Sequence, residues 1–244
     1  NVNQYFKSHS AFCERYCYSR LISLPQVTYK EFYGFREDRR EEFMELLKGK
    51  IYRVSGDDAG LSLPPIMHQE VFTKIEEPEG FSQEYENFIL GGRSIIAKAA
   101  SAKLKADFTG EYVSNLIDQV GTPIVVFTDH VQSAEVIAHR FKVEPITGKT
   151  QSSRRIHIAE KSKVIVATVG AFSVGVNLTK ANHLVFNDIS WVPADNEQAL
   201  KRIHRIGQER ACTIHYVVGG HVDKFILDKV RSKMKIINSV TGVT

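Results

Sequence analysis

Cysteine is scarce: three residues in 244, an odd number that excludes a closed disulfide framework as the source of stability. Apolar runs are short as well. No stretch approaches the ~18 apolar residues expected of a membrane-spanning helix, and the first residues carry neither a signal-peptide nor a transit-peptide pattern. The sequence therefore reads as soluble and intracellular, with no membrane partner. It has a single tryptophan, Trp191, no internal repeat and no low-complexity segment. Charge of one sign is not in excess, since the net charge is only +4. What is present is a 43% hydrophobic content, enough for a packed core in one large domain or one domain plus part of another.

Charge is distributed less evenly than its sum suggests. Residues 140 to 163 hold Arg140, Lys142, Lys149, Arg154, Arg155, Lys161 and Lys163 against Glu144 and Glu160. Residues 70 to 86 run the other way, with Glu70, Glu76, Glu77, Glu79, Glu84 and Glu86 against Lys74. A basic stretch suits a phosphate backbone, and a solvated loop explains it nearly as well. His9, Cys13 and Cys17 fall at four-residue steps that a helix would align. Tight structural zinc needs a fourth ligand, and none stands at sensible spacing, so we expect buried thiols and no metal.

Along the chain, Asn1 to about Lys50 reads as helical, residues 55 to 66 as a Gly- and Pro-interrupted loop, and Met67 to Ile75 as a strand entering the acidic linker. A second helical stretch covers about Tyr85 to Asp118. Strands are then expected at Ile124 to Phe127, Val143 to Thr147, Lys163 to Ala167, Leu184 to Asn187 and Thr213 to Val218. Helices are expected between them, at Ser133 to Phe141, Ser153 to Glu160, Asp195 to Ile206 and Asp223 to Ile237. Short apolar strands alternating with helices mark a doubly wound, parallel α/β sheet.

The richest segment runs from Gln198 to Gln208 (QALKRIHRIGQ). Read as helix, its spacing stacks Gln198, Arg202 and Arg205 along one face. Arginine's rigid fork stays charged and meets phosphate oxygens two at a time, so that face suits a polyphosphate. His204 points off it. A solvated basic helix face is the plain alternative.

This segment resembles motif VI of the superfamily 2 helicases, and its ending His-Arg-Ile-Gly-Gln is the form typical of the Swi/Snf-type DNA-dependent ATPases. Thr122 to His130 (TPIVVFTDH) resembles motif IV, Thr168 to Leu178 (TVGAFSVGVNL) motif V, and Asp188 to Pro193 (DISWVP) the Asp-x-x-Trp-x-Pro stretch before motif VI. Phe12 to Cys17 (FCERYC) is similar to a segment near the end of the first ATPase lobe in the annealing-helicase branch. The usual Arg-Ala-Gly-Gly of motif V is here Gly170-Ala171-Phe172-Ser173, a departure in the part of the pattern that touches DNA.

The resemblance implies a RecA-like second lobe over residues 79 to 244, preceded by a mostly helical tail of the first lobe over residues 1 to 78. It implies arginine fingers at Arg202 and Arg205 with Gln198 beside them, and ATP contacts at Gly175 and Asn177. DNA contacts are implied at Thr128, Asp129, Lys149, Arg154, Arg155, Thr168 and Trp191, on a double-stranded DNA partner. ATP and Mg²⁺ would be used by the complete two-lobe enzyme, as a monomer, in DNA translocation or remodelling. A lone tryptophan is otherwise a core anchor.

Gly148-Lys149-Thr150 invites a phosphate-binding loop, but that loop needs a glycine five positions before Gly148, where Val143 stands, and Pro145 lies inside the stretch. No other segment supplies a phosphate cradle or an acidic box for Mg²⁺, which phosphoryl transfer also needs. The expectation is that the chain alone hydrolyses no ATP. Two other readings stay open: the second lobe of another superfamily 2 DNA or RNA helicase, or an ATP-independent nucleic-acid-binding module.

Overall fold

The computed structural model describes residues 6–23, 28–49, 60, 62–75, 94–173 and 176–241. The chain forms two compact units, Gly60–Val230 and Asn1–Ala59 with Arg231–Thr244.

In the first residues, α1 (His9–Tyr16) starts at Ser8, whose Oγ accepts from the Ala11 N–H at 3.1 Å, a standard side-chain cap. Cys17 then turns extended (φ −113°, ψ 149°). An antiparallel hairpin follows, β1 (Tyr18–Ser23) and β2 (Thr28–Tyr33), and then α2 (Arg40–Leu47). The hairpin corrects the all-helical expectation for Asn1 to Lys50. Its strands are rich in Tyr, Phe and Ile, residues that favour a pleated surface, and Tyr18 faces Tyr33 across the ladder. Phe12, Tyr16, Phe35 and Phe43 pack their rings together, and Tyr16 donates to Glu42 at 2.8 Å.

In the larger unit, β3 (Ile66–Phe72) precedes α3 (Ser94–Leu104) and α4 (Ala106–Val120). β4 (Ile124–Thr128), α5 (Val131–Phe141), α6 (Ser152–Lys161), β5 (Val164–Thr168), β6 (His183–Phe186), α7 (Pro193–Leu200), β7 (Cys212–Val218) and, as far as Val230, α8 (His221–Thr241) complete it. The five strands form one parallel sheet in the order β3-β7-β6-β4-β5. β4 and β5 are buried at every position, as a sheet covered on both faces requires.

Alternation splits the core in two. Ile124, Val126, Val164, Val166, Val185 and Val217 pack with Val113 and Leu116 of α4 and Ile137 of α5. Val125, Phe127, Ile165, Ala167, Leu184, Phe186 and Ile214 pack with Ile158 of α6, Ala199 of α7 and Val222 and Ile226 of α8. Gly121, at φ +64°, ends α4 in the left-handed conformation that costs glycine least.

The observed sheet is the doubly wound α/β sheet expected, with three adjustments. Val143 to Thr147 is reduced to a bridge from Ile146 to Ala167, beside Pro145, which has no N–H to donate. The helical stretch from Tyr85 divides into α3 and α4, and its residues before Ser94 lie outside the described residues, as does most of the acidic linker. The third is a boundary. β3 is the edge strand of the large sheet, paired from Ile66 to Phe72 with Cys212 to Val218, so the compact unit begins at Gly60 rather than near residue 79.

One buried polar string crosses the sheet's amino-terminal side. Tyr112 Oη lies 2.9 Å from His215 Nδ1, and His215 Nε2 lies 3.0 Å from His183 Nδ1. Burial, and then the neighbouring His183, push the His215 imidazole down to about 4. An imidazole held below its unfolded value of ~6.5 is neutral in the fold while the unfolded chain takes up a proton. Its contribution is full above that value and is lost as pH falls toward 4. We expect roughly 3 kcal/mol of stability to disappear across that window, read as a falling urea midpoint. His215→Gln should flatten the window; an unchanged pH dependence in that variant would refute the assignment.

Candidate functional site

The carboxyl ends of parallel strands are where open α/β sheets bind ligands, and Thr128, Asp129, Thr168 and Trp191 lie there, whereas the arginine segment is tied to chain entering the strands, His204 to Pro64 before β3 and Gln208 to Ala181 before β6. Thr128 ends β4 and pairs in register with Thr168, which ends β5. Asp129 follows β4, and Asp188 and Trp191 follow β6. The turn carrying Lys149 leads on from Ile146, whose N–H donates to Val166 O at 2.8 Å and whose carbonyl accepts from Thr168 N at 2.9 Å. Lys149 is exposed there.

α7 begins where the sequence is built to start a helix. Pro193 occupies its first turn, and Ser190 and Asn196 brace the entry reciprocally: Asn196 Nδ2 donates to Ser190 O, and Ser190 N donates to Asn196 Oδ1, both at 2.8 Å. It ends at Leu200, so the expected helix from Asp195 to Ile206 is not continuous. The reason lies in who takes the carbonyls. In a continuing helix, Arg202 O and Ile203 O would accept from the N–H groups four residues on. Here Arg202 O accepts from Leu178 N at 3.0 Å, and Ile203 O from the side-chain amide of Gln208 at 2.9 Å.

Residues 201 to 207 are consequently a series of tight turns, with Gly207 at φ +97° closing it. Gln198 stays on α7 and is exposed; Arg202 is half-buried and Arg205 exposed on the turns. Burial, and then the charge of Arg205, hold the Arg202 guanidinium below its usual value. Two cations are thus kept within electrostatic reach of one another, an arrangement that an anion between them would relieve. Asn177 is exposed just before Leu178, its Oδ1 accepting from Thr179 N at 3.1 Å. Gly175 lies outside the described residues. His204, expected to point elsewhere, reaches Pro64 O with Nε2 at 2.7 Å.

Several expected DNA contacts are placed differently. Arg155 is 8% exposed, and its guanidinium donates to Thr150 O at 2.7 Å, Ala171 O, Thr147 O at 3.3 Å and Gly148 O at 3.5 Å. It is an internal brace that knits the Lys149 turn to the segment after β5, and it has no fork left for a phosphate. Thr128 is fully buried and donates to Asp188, and Thr168 is buried too. Trp191 packs against the core with its ring edge-on to Phe225, centroids 6.4 Å apart, as a core anchor would. Lys149 remains exposed, and Arg154 reaches Glu144 at 2.8 Å with both side chains about half exposed; such a surface pair is weak enough to exchange partners.

These placements separate two substitutions that look alike in sequence. Lys149→Ala should leave thermal stability unchanged and, if the residue meets a phosphate as the resemblance implies, reduce the salt slope of a duplex-binding titration by about one. Arg155→Ala should instead lower the unfolding midpoint by roughly 2–3 kcal/mol, because several buried carbonyls lose their donor. A stable Arg155→Ala with a reduced salt slope would reverse that assignment.

Sequence reasoning missed a charged seam at the same strand ends. Asp188, 5% exposed, accepts from Thr128, from Asp129 N at 3.2 Å and from Asn187 Nδ2 at 3.2 Å, and lies 3.0 Å from His130 Nδ1. Burial works to raise its carboxyl, but the His130 hydrogen bond and the Lys98 and Lys105 charges win and hold it below the usual range. Lys98 joins Asp129 and Asp188, and Lys105 joins Asp223 at 2.8 Å. A small recess of about 20 Å³ at the ends of β6 and β7 is lined by both lysines, Asp188 and Asp223. Every one of those charges already has an opposite partner, so the recess is a structural seam. The legible signal was two lysines seven apart on a face with Ala97, Ser101 and Ala102.

Among the described residues no group of three or more His, Cys, Asp or Glu is placed to hold a metal ion. His9 Nε2 lies 3.5 Å from Cys13 Sγ, and burial, then Cys13, push the Cys17 thiol up to about 11, a state that disfavours thiolate chemistry. Among them, no helix is long and apolar enough to cross a membrane.

Comparison with known proteins finds relatives for these elements. The pattern of the helicase conserved C-terminal domain matches residues 109–207. The chain is 27% identical over 159 residues to the human DNA annealing helicase and endonuclease ZRANB3, covering 60% of this chain and 14% of that protein. It is 30% identical over 152 residues to the SWI/SNF-related matrix-associated actin-dependent regulator of chromatin subfamily A-like protein 1 of Xenopus tropicalis, covering 57% and 16%. The chain thus spans about a seventh of the curated relatives it matches. Among solved structures it is similar to the Sulfolobus solfataricus SWI2/SNF2 ATPase core in complex with dsDNA, with a TM-score of 0.53 and 18% identity over 83% of this chain and 52% of that one. Residues 109–207 are thus similar to a helicase conserved C-terminal domain, and the sheet that carries them shares the fold of a SWI2/SNF2 ATPase core.

Proposed function

We propose that this chain supplies the second RecA-like lobe of a DNA-dependent, ATP-hydrolysing enzyme that translocates along or remodels duplex DNA, and that the residues before Gly60 are the end of its first lobe. The observation that carries the reading is the arginine turn: Arg202 and Arg205 are held on the exposed side of a clamp that also fixes the segment after Asn177. In this reading the two guanidiniums reach the triphosphate of an ATP bound between lobes and neutralise charge developing on the transferring phosphoryl group. Gln198 stands on α7 just before them, and Asn177 would lie near the ribose.

The phosphate cradle and the carboxylates for Mg²⁺ belong to the other lobe, since the sequence here has neither. Lys149, Arg154 and Asp129 form the rim nearest the DNA backbone. Opening and closing of the cleft would alternate the grip of the two lobes on one strand. The relatives support this reading by their names, one an annealing helicase and one an ATPase core bound to dsDNA.

The test is ATP hydrolysis with and without duplex DNA, comparing the intact gene product with this chain. The intact protein should be stimulated by DNA. This chain should hydrolyse none and bind duplex with an affinity that falls as salt rises. Appreciable turnover by the chain alone overturns the two-lobe reading.

A further inference from the structure

Gln208 is 6% exposed and spends its whole hydrogen-bonding capacity inside the protein. Its Nε2 donates to Thr179 O at 3.2 Å, Ala181 O at 2.8 Å and Ile203 O at 2.9 Å, and its Oε1 accepts from Glu209 N at 3.1 Å and Arg210 N at 3.0 Å. Two of these carbonyls belong to the segment after Asn177 and one to the arginine turn. Nearby bonds close the same seam: Leu178 N to Arg202 O at 3.0 Å, and Arg210 Nη2 to Lys180 O at 2.6 Å. Gly207 is what lets the amide reach in, because its φ of +97° folds the chain back under the turn, a conformation that a residue with a β-carbon resists.

We propose that Gln208 is the positioning residue of the nucleotide site, setting the placement of Arg202 and Arg205 relative to Asn177. The inference rests on the reading of those arginines as phosphate-facing. It follows from bond chemistry. An amide is the one side-chain end of this size that donates two protons on one side and accepts on the other. Without it, the Ile203 carbonyl is free to seek the helical partner it lacks, and the turn can wind toward continuing helix. That would carry Arg202 and Arg205 round the axis, away from the segment they are bolted to. The two guanidiniums also repel one another.

Glutamate at this position makes the test sharp. An ionised carboxylate only accepts, so it would face three carbonyls with nothing to donate and its proton affinity would rise. Once protonated, it regains one O–H donor.

The experiment uses the intact protein as wild type, Gln208→Glu, Gln208→Met and Arg205→Ala. DNA-stimulated kcat and the KM for ATP are measured from pH 6 to 9. Amide exchange of a peptide containing Leu178, corrected for intrinsic rate, is followed in parallel. We expect Gln208→Met to lose roughly tenfold or more in kcat with little change in KM. Gln208→Glu should match that loss at pH 9 and recover toward wild type near pH 6, with Leu178 protection rising in step.

A Gln208→Glu enzyme with the wild-type pH profile overturns the proposal, as does a loss that tracks the unfolded fraction while Leu178 stays protected. If Arg205→Ala turns over like the wild type, the functional reading fails instead. Leu178 protection in Gln208→Glu then decides the clamp by itself: pH-dependent protection upholds it, constant protection ends it.

Discussion

Lys105→Ala is expected to lower the unfolding free energy by about 3–5 kcal/mol, the cost of stranding a buried charge whose partner has been removed. Lys105 is fully enclosed, with Nζ 2.8 Å from Asp223 Oδ1 and 2.8 Å from Val217 O. Asp223 is nearly as buried, and its other oxygen already accepts from Gly219 N at 2.7 Å. Removing the lysine leaves a carboxylate with one backbone donor and no counter-charge, and an unsatisfied carbonyl at the end of β7. Typical domains are stable by only about 5–15 kcal/mol in total, so this substitution should consume at least about a fifth of that. Chemical denaturation followed by circular dichroism gives the number. The double variant Lys105→Met, Asp223→Leu should be markedly more stable than Lys105→Ala, since replacing a buried pair by apolar groups of like volume is often neutral. A single variant that unfolds at the wild-type midpoint would show that the pair carries no weight.

Arg205→Ala is expected to reduce DNA-stimulated ATP hydrolysis by the intact protein on the order of 10³-fold, within the range for removing an arginine finger. ATP and duplex binding should change little, because Arg205 is exposed on a turn whose fold is set by other bonds. Among the described residues, the bonds that hold that turn come from Gln208 and the Leu178–Arg202 link and not from its guanidinium. Arg202→Ala should also slow hydrolysis but is the less clean test, since Arg202 is half-buried and its removal disturbs packing. A rate within a factor of two or so of wild type for Arg205→Ala would make motif VI structural in this protein and favour an ATP-independent binding module.

The sheet was legible because its signal is redundant. Val-, Ile- and Phe-rich runs at 124, 164, 184 and 213 have no other stable use than buried strands, and each forms one within a residue or two. The arginine segment was legible in content but not in conformation. Helical spacing from Asp195 to Ile206 is real, yet two carbonyls are captured by Leu178 and Gln208, and such capture is a tertiary event that local periodicity does not encode. Arg155 failed for the same reason: a basic helix face predicts exposure, and only the turn that folds over it reveals four carbonyls waiting. Lys98 and Lys105 were passed over because their partners lie at Asp129, Asp188 and Asp223, remote in sequence. The hairpin after α1 was masked by helix formers on either side.

The parallel pairing of β3 with β7 has a cost measured in time. β3 ends at Phe72 and its partner starts at Cys212, about 140 residues downstream. Closing so long a loop adds about 2 kcal/mol of entropy relative to one a tenth as long, and pairing of this range belongs to the slow class of folding reactions. On a ribosome adding ~5–20 residues per second, β3 waits on the order of ten seconds before β7 exists. During that wait it presents Met67 and Phe72, both of which stay more than half exposed even in the finished fold. Expression clones that begin after residue 72 would remove the strand altogether and leave the edge of β7 open to pairing between molecules, so recombinant work on the large unit alone should start at or before Gly60.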